Sequence, residues 1–217
     1  LPRLQLYLQH DRSLAEAELT ALRELVQRRA RREPLQHLLG STSFLGLEIA
    51  VTRDALIPRP ETETLAELAL AALVKLPAPA CVLDFGTGTG CLAIALAAKC
   101  PTAHVHALDV SAAALALARR NAQQHALGER LQFHLGDGFA ALPDDARFDL
   151  IVSNPPYLPA AEIATLQPEV RDFDPRLAAK IALIPAEDVR IADHFAIDED
   201  DHMLAQRTLV IQHIAAR

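Results

Sequence analysis

An α/β fold is what the sequence predicts, and three features predict it. From Ala80 onward short apolar runs alternate with amphipathic stretches, and the first turn between them is Gly86-Thr87-Gly88-Thr89-Gly90. Of the 217 residues 51% are apolar but only 4% aromatic, with no tryptophan, so the core volume lies in Leu, Ala, Ile and Val. Strand, helix, strand repeated at such spacing needs a parallel sheet covered on both faces. The length allows one full domain, at ~100 to 200 residues each, plus a small appendage.

Taken in order, Ser13-Leu14-Ala15-Glu16 has capping-box spacing and opens a helix with Leu19, Leu22, Leu25 and Val26 on its apolar side. Its end is the basic run Arg28 to Arg32, where cations suit the helix dipole. Pro34 starts a short second helix that Gly40 ends, and Phe44 to Val51 reads as a strand or hairpin arm. Ile57-Pro58-Arg59-Pro60 is extended, since each proline disfavours helix in the residue before it. An alanine-rich helix follows from Glu61 to Leu76, stopped by Pro77 and Pro79.

The α/β part then predicts strands at 81–85, 104–108, 131–135 and 148–153, with helices at 91–99 and 111–126. Beyond Arg176 the pattern is less regular. Ile181 to Ile184 is a candidate strand, and Met203 to Ile214 suits a helix or a strand through Thr208-Leu209-Val210-Ile211.

The net charge is −7, which argues against a protein that binds nucleic acid through a phosphate-neutralising surface. Residues 1–60 hold nine Lys/Arg against seven Asp/Glu, so this mildly basic part suits an acidic partner. Cys81, Cys91 and Cys100 show no CxxC spacing, which fits neither a disulfide framework nor zinc and makes a reducing cytoplasm the expectation. No metal site is expected; His104 and His106 share a strand face and are expected to pack. No run reaches the ~18 apolar residues of a membrane span, and Leu1-Pro2-Arg3 has no signal-peptide pattern.

The glycine run lies directly between a strand and a helix, where the backbone can turn tightly and approach a ligand at free helix N–H groups. Its G-x-G-x-G spacing does not single out a pyrophosphate; a nucleoside with a small charged tail fits as well. Asp109, nineteen residues after Gly90, ends the next strand, placed to accept both ribose hydroxyls of an adenosine. These residues indicate a nucleoside cofactor, with a methyl donor and NAD both open.

Asn154-Pro155-Pro156-Tyr157 ends an apolar strand, at the sheet edge where open α/β folds bind ligands. The prolines fix φ and offer no N–H, so carbonyl oxygens and the Asn154 side chain are presented in a set geometry. Such acceptors suit an NH2 group, and holding both its hydrogens aims the nitrogen at an electrophilic methyl. Tyr157 would pack on a planar substrate group.

Three stretches, Leu56-Ile57-Pro58-Arg59-Pro60-Glu61-Thr62-Glu63, Asp84 to Gly90 and Ile151 to Tyr157, resemble the protein-(glutamine-N5) methyltransferase family that modifies peptide-chain release factors, HemK or PrmC, roughly from Arg12 to Arg176. The resemblance implies a Rossmann-like, S-adenosylmethionine-dependent enzyme of the cytoplasm, acting in translation termination, whose substrate is the glutamine of a Gly-Gly-Gln tip. It implies a partial helical domain at 1–40 that helps bind the release factor, a hairpin and linker at 41–60, and the methyltransferase domain at 61–179. By the same carry-over Gly86, Thr87, Gly88, Thr89 and Gly90 hold the methionine part, Asp109 the ribose, Asp137, Gly138 and Phe139 the adenine side, and Asn154, Pro155, Pro156 and Tyr157 the glutamine amide.

The chain departs from the family in two places. Gly138 precedes Phe139 where many relatives have an aromatic residue after the acid, and residues 180–217 do not match the family's glycine-rich stretch, helix and final hairpin. A truncated or spliced chain with an incomplete sheet edge is expected. Three alternatives remain beside release-factor methylation: a glutamine methyltransferase of a ribosomal protein, an adenine-N6 DNA methyltransferase, and a cofactor-binding module without turnover. Direct DNA binding and membrane association are not expected.

Overall fold

Four apolar runs of the sequence become the parallel strands of one sheet in the computed structural model, which describes residues 3–154, 167–175 and 209–214. Strands β3 (Cys81–Phe85), β4 (His104–Asp109), β5 (Leu131–Leu135) and β6 (Phe148–Ser153) are parallel, and β7 (Leu209–Ile214) closes one edge antiparallel; the order is β5-β4-β3-β6-β7. β3 lies at the centre, its Val82 beside Val105 of β4 and Leu150 of β6. The segment that fitted either helix or strand is therefore a strand, running from Ser153↔Leu209 to Phe148↔Ile214.

Alternate residues face opposite sides of a pleated sheet. Val82, Val105, Ala107, Leu150 and Val152 join the larger apolar cluster, while Leu83, Phe85, Leu108 and Ile151 join the smaller one. The larger cluster lies under α4 (Pro60–Leu73), α5 (Cys91–Lys99) and the end of α6 (Ala112–Gln124). Each buried Leu or Ile there contributes ~1.5–3 kcal/mol. Across the sheet, the smaller cluster is covered among the described residues by Phe139, Ala141 and Leu142, which follow β5 in a short 3-10 turn.

The N-terminal part comprises α1 (Arg3–Leu8), α2 (Glu16–Ala30), α3 (Leu35–Leu39) and the hairpin β1 (Ser41–Phe44) and β2 (Leu47–Ala50). The α2 helix starts two residues later than the capping-box spacing suggests: the Ala15 N–H donates to Glu18 at 2.9 Å, and Ala15, not Ser13, occupies the cap. Glu18 reaches back to a cap with no side-chain oxygen, so half of the reciprocal pair suffices. None of α2 is fully buried: of its predicted apolar side Leu19 and Leu25 are half-buried, while Leu22 and Val26 stay exposed. Pro34 and Gly40 bracket α3 as expected, with Gly40 at φ 80°. The α4 helix ends at Leu73, three residues before the predicted stop. Phe44 and Ile49 of the hairpin are buried against the main core. The last short helix, α7 (Pro168–Arg171), returns to the N-terminal part: its Glu169 pairs with Arg29 and Arg32.

Candidate active site at the carboxyl edge of the sheet

The glycine loop leaves β3 and enters α5 directly, as the sequence order requires. Two of its glycines have separable reasons to be glycine. Gly90 has φ 80°, and a Cβ there would stand 2.9 Å from the Cβ of Ala118, so it lets α5 and α6 approach. Gly88 has φ 55°, with only the Cβ of Ala55, at 3.9 Å, near where its own would be. Its position demands the left-handed backbone yet leaves open space beside it.

Asp109 sits at the end of β4 as predicted. Its carboxylate accepts from the Gly88 N–H at 2.8 Å and from the Ser111 N–H at 2.9 Å, so it shapes the loop and keeps acceptor capacity besides, since a carboxylate offers about four lone-pair sites. Asp137 is exposed after β5, Gly138 has φ 81°, and the Phe139 ring packs on Phe85 at 5.6 Å. Asn154 follows β6 directly; Pro155, Pro156 and Tyr157 lie outside the described residues.

Several residues of the site are not singled out by sequence. Asp84, on β3, accepts from the Thr87 hydroxyl at 2.6 Å and the Ala93 N–H at 3.1 Å, both on Oδ2, and thereby caps α5 from the strand before it. Burial raises its carboxyl to about 7, against the Thr87 and Ala93 hydrogen bonds. Thr62, in the first turn of α4, accepts from the Asn154 Nδ2 at 2.7 Å. Asn121, fully buried on α6, donates to the Thr89 and Ala50 carbonyls and accepts from the Ala50 N–H, at 2.9–3.0 Å. Arg59 pairs with Asp174 at 2.8 Å. Asp84 and Thr62 stand inside the recognised stretches, but their partners only become visible once the chain is folded.

These elements enclose a cleft of about 50 Å³ between Ile57, Arg59, Thr62, Asp84, the glycine loop and Asn154. The chemistry of its donors is a test of what fits. Asp84 lines the cleft, Asp109 braces its loop, and the one cation on the wall, Arg59, is already held by Asp174. With acids at and behind the loop and no spare cation on the wall among the described residues, the cleft disfavours a pyrophosphate and suits a ligand that carries positive charge. S-adenosylmethionine, with its ammonium and sulfonium groups, fits.

The parallel sheet, the glycine loop and the acid ending β4 define a Rossmann-like methyltransferase domain, of the class that takes its methyl group from S-adenosylmethionine. Residues 64–167 match the methyltransferase small domain family, and residues 1–40 match the PrmC N-terminal domain. Relatives named release factor glutamine methyltransferase are 50% identical over 178 residues in Geobacter sulfurreducens, covering 82% of this chain and 61% of that protein, and 49% identical over 185 residues in Chlorobaculum tepidum, covering 82% and 63%. A third, from Nitratidesulfovibrio vulgaris, is 44% identical over 187 residues, covering 86% and 61%. The chain spans about three fifths of the length of these relatives. Over most of its own length the chain is similar to these release factor glutamine methyltransferases.

Proposed function

We propose that the chain transfers a methyl group from S-adenosylmethionine to the side-chain amide nitrogen of a glutamine, that of the Gly-Gly-Gln tip of a peptide-chain release factor. The observation that carries this is Asn154, held at the end of β6 on the wall of the same cleft as the glycine loop. The relatives' name supplies the substrate. A soluble substrate of translation puts the reaction in the cytoplasm in this reading, and among the described residues no helix is long and apolar enough to cross a membrane.

The bound cofactor supplies an electrophilic methyl on a sulfonium. Gly86 to Gly90, Asp84 and Asp109 would hold its charged tail and ribose, and Asp137, Gly138 and Phe139 its adenine side. The Asn154 Oδ1 would accept one hydrogen of the substrate NH2, and a carbonyl of the Pro155-Pro156 stretch would accept the other. This turns the nitrogen, whose lone pair is otherwise delocalised into the amide, towards the methyl carbon. The sulfonium would supply the methyl and keep the C–S electron pair on leaving, and the proton shed by the nitrogen would pass to solvent. Tyr157 would stack on the flat amide. Positioning of this kind contributes ~7–11 kcal/mol when the reacting atoms are held ~3–3.5 Å apart.

Residues 1–40 serve as the docking part for the release factor in this proposal. Against DNA as substrate stands the use of the basic residues: Arg28, Arg32 and Arg59 are each committed to a carboxylate within the chain. The experiment is mass spectrometry of a release factor, a DNA duplex and ribosomal proteins after incubation with the chain and labelled methyl donor. One added methyl on the Gly-Gly-Gln glutamine is expected, and Asn154→Ala should slow it by on the order of 10²-fold with cofactor affinity kept. Label on DNA or on a ribosomal protein alone overturns the proposal.

A further inference from the structure

We infer that Thr62 is a positioning residue for methyl transfer: its hydroxyl holds the Asn154 amide by its NH2 end, so that the oxygen faces the substrate. The inference rests on the amide-holding role proposed for Asn154. A carboxamide has two ends of nearly equal size, an oxygen that accepts and an NH2 that donates. Only the oxygen can receive a hydrogen from a substrate NH2; the other end would set donor against donor.

Thr62 Oγ1 takes a hydrogen bond from the Asn154 Nδ2 at 2.7 Å, which holds the NH2 end against α4 and leaves Oδ1 for the substrate. The residue is itself held in place, being 5% exposed in the first helical turn, with its backbone N–H bonded to the Arg59 carbonyl at 3.0 Å. That carbonyl belongs to a linker anchored twice, by the buried Ile57 side chain and by the Arg59–Asp174 pair. The motif around Pro58 and Pro60 thus delivers one hydroxyl to a strand end 92 residues away.

Thr62→Val keeps the shape and removes the acceptor, Thr62→Ser keeps the acceptor, and Thr62→Ala guards against a misfit of the extra methyl. For the first and third we expect kcat on a release factor to fall about tenfold or more, the cost of a lost positioning contact, with cofactor affinity by calorimetry within about twofold. Thr62→Ser should restore most of the rate. In an Asn154→Ala background Thr62→Val should add nothing, because the two act as one unit. A role in folding alone would instead add its effect in either background.

A second measurement does not depend on turnover. In nitrogen-15 spectra of the full chain, the Asn154 side-chain NH2 signals, assigned by their loss in Asn154→Ala, should exchange with solvent about tenfold faster in Thr62→Val than in the parent. Unchanged exchange, a parent rate in Thr62→Val, or additivity with Asn154→Ala overturns the inference. A parent chain that methylates no glutamine, with the exchange difference intact, overturns the proposed reaction and leaves the Thr62–Asn154 pairing standing.

Discussion

Helices α2 and α5 hold their places by opposite means. In α5, every residue from Cys91 to Ala97 is buried under the sheet's larger apolar cluster; in α2, fifteen residues long, none is. What fixes the α2 end of the molecule is charge. Arg28 grips Glu33 through two hydrogen bonds of 2.8 and 2.7 Å, and Arg29 and Arg32 reach Glu169 on α7. Apolar burial carries no charge for salt to screen or pH to titrate, whereas ion pairs respond to both. The cleft lies where the two systems meet, with its loop on the packed side and its Pro-Arg-Pro wall tied by Arg59 to Asp174.

The contrast is broken first by attacking the packed side. Ile94→Ala removes a fully buried side chain of α5 and should cost ~2–5 kcal/mol in urea unfolding. A cost below ~1 kcal/mol would mean that the core closes over the cavity, and that the sheet domain is less rigidly packed than α5's burial implies. Asn121→Ala comes next. It strands the Ala50 N–H and the Ala50 and Thr89 carbonyls, and each buried group left unpaired costs ~1–3 kcal/mol. Since Thr89 belongs to the glycine loop, cofactor affinity should fall alongside stability; a stability loss with unchanged affinity would separate Asn121 from the site.

Two acids sharpen the comparison through pH. Burial raises Asp84 from 3.8 to about 7, so the folded chain holds a proton that the unfolded chain has released. Its stabilising contribution is full below 3.8 and is lost as pH rises through 7. Glu33 is the reverse: the Arg28 hydrogen bonds lower it from 4.5 to about 2, so its contribution is present above 4.5 and is lost as pH falls through 2. Thermal unfolding followed across pH should therefore lose its decline between about pH 4 and 7 in Asp84→Asn, and part of its acid decline below 4.5 in Glu33→Gln. Parent-like pH profiles in both variants would show that neither acid titrates as its surroundings dictate.

The same division decides what the sequence discloses. Strands β3 to β6 and helix α5 are written in apolar runs and in a glycine loop, both local signals, and each lies within a residue of its predicted ends. Asp109 and Asn154 are legible because their places follow from strand ends. Thr62 is not, because its significance is a contact 92 residues along the chain. Asn121 is hidden for the same reason: a buried asparagine in an alanine-rich helix shows no period, and its three bonds are to backbone groups that any sequence carries. The apolar side predicted for α2 has the right spacing but is covered only in part, Leu19 and Leu25 being half-buried and Leu22 and Val26 exposed. Periodicity reports that a face exists, not that something covers it. For β7 the sequence allows helix and strand alike, since a short run of β-branched residues at a sheet edge carries no periodicity to choose by.

The smallest effect belongs to the charged latch itself. Glu169→Ala removes the carboxylate that both Arg29 and Arg32 address, at 3.4 and 2.9 Å. Those arginines are about half exposed, and pairs of that kind are weak and screened by salt. Global unfolding, dominated by the sheet's core, should therefore hardly move. The difference should appear locally, since a helix with no buried residue opens more readily than the core beneath α5. Amide hydrogen exchange in α2 should quicken several-fold in Glu169→Ala, and raising the salt to about 1 M should bring the parent to the same rate, while β3 and α5 keep theirs. Salt that slows α2 exchange, or that quickens α2 and α5 alike, would mean the N-terminal helices are held by apolar contact after all.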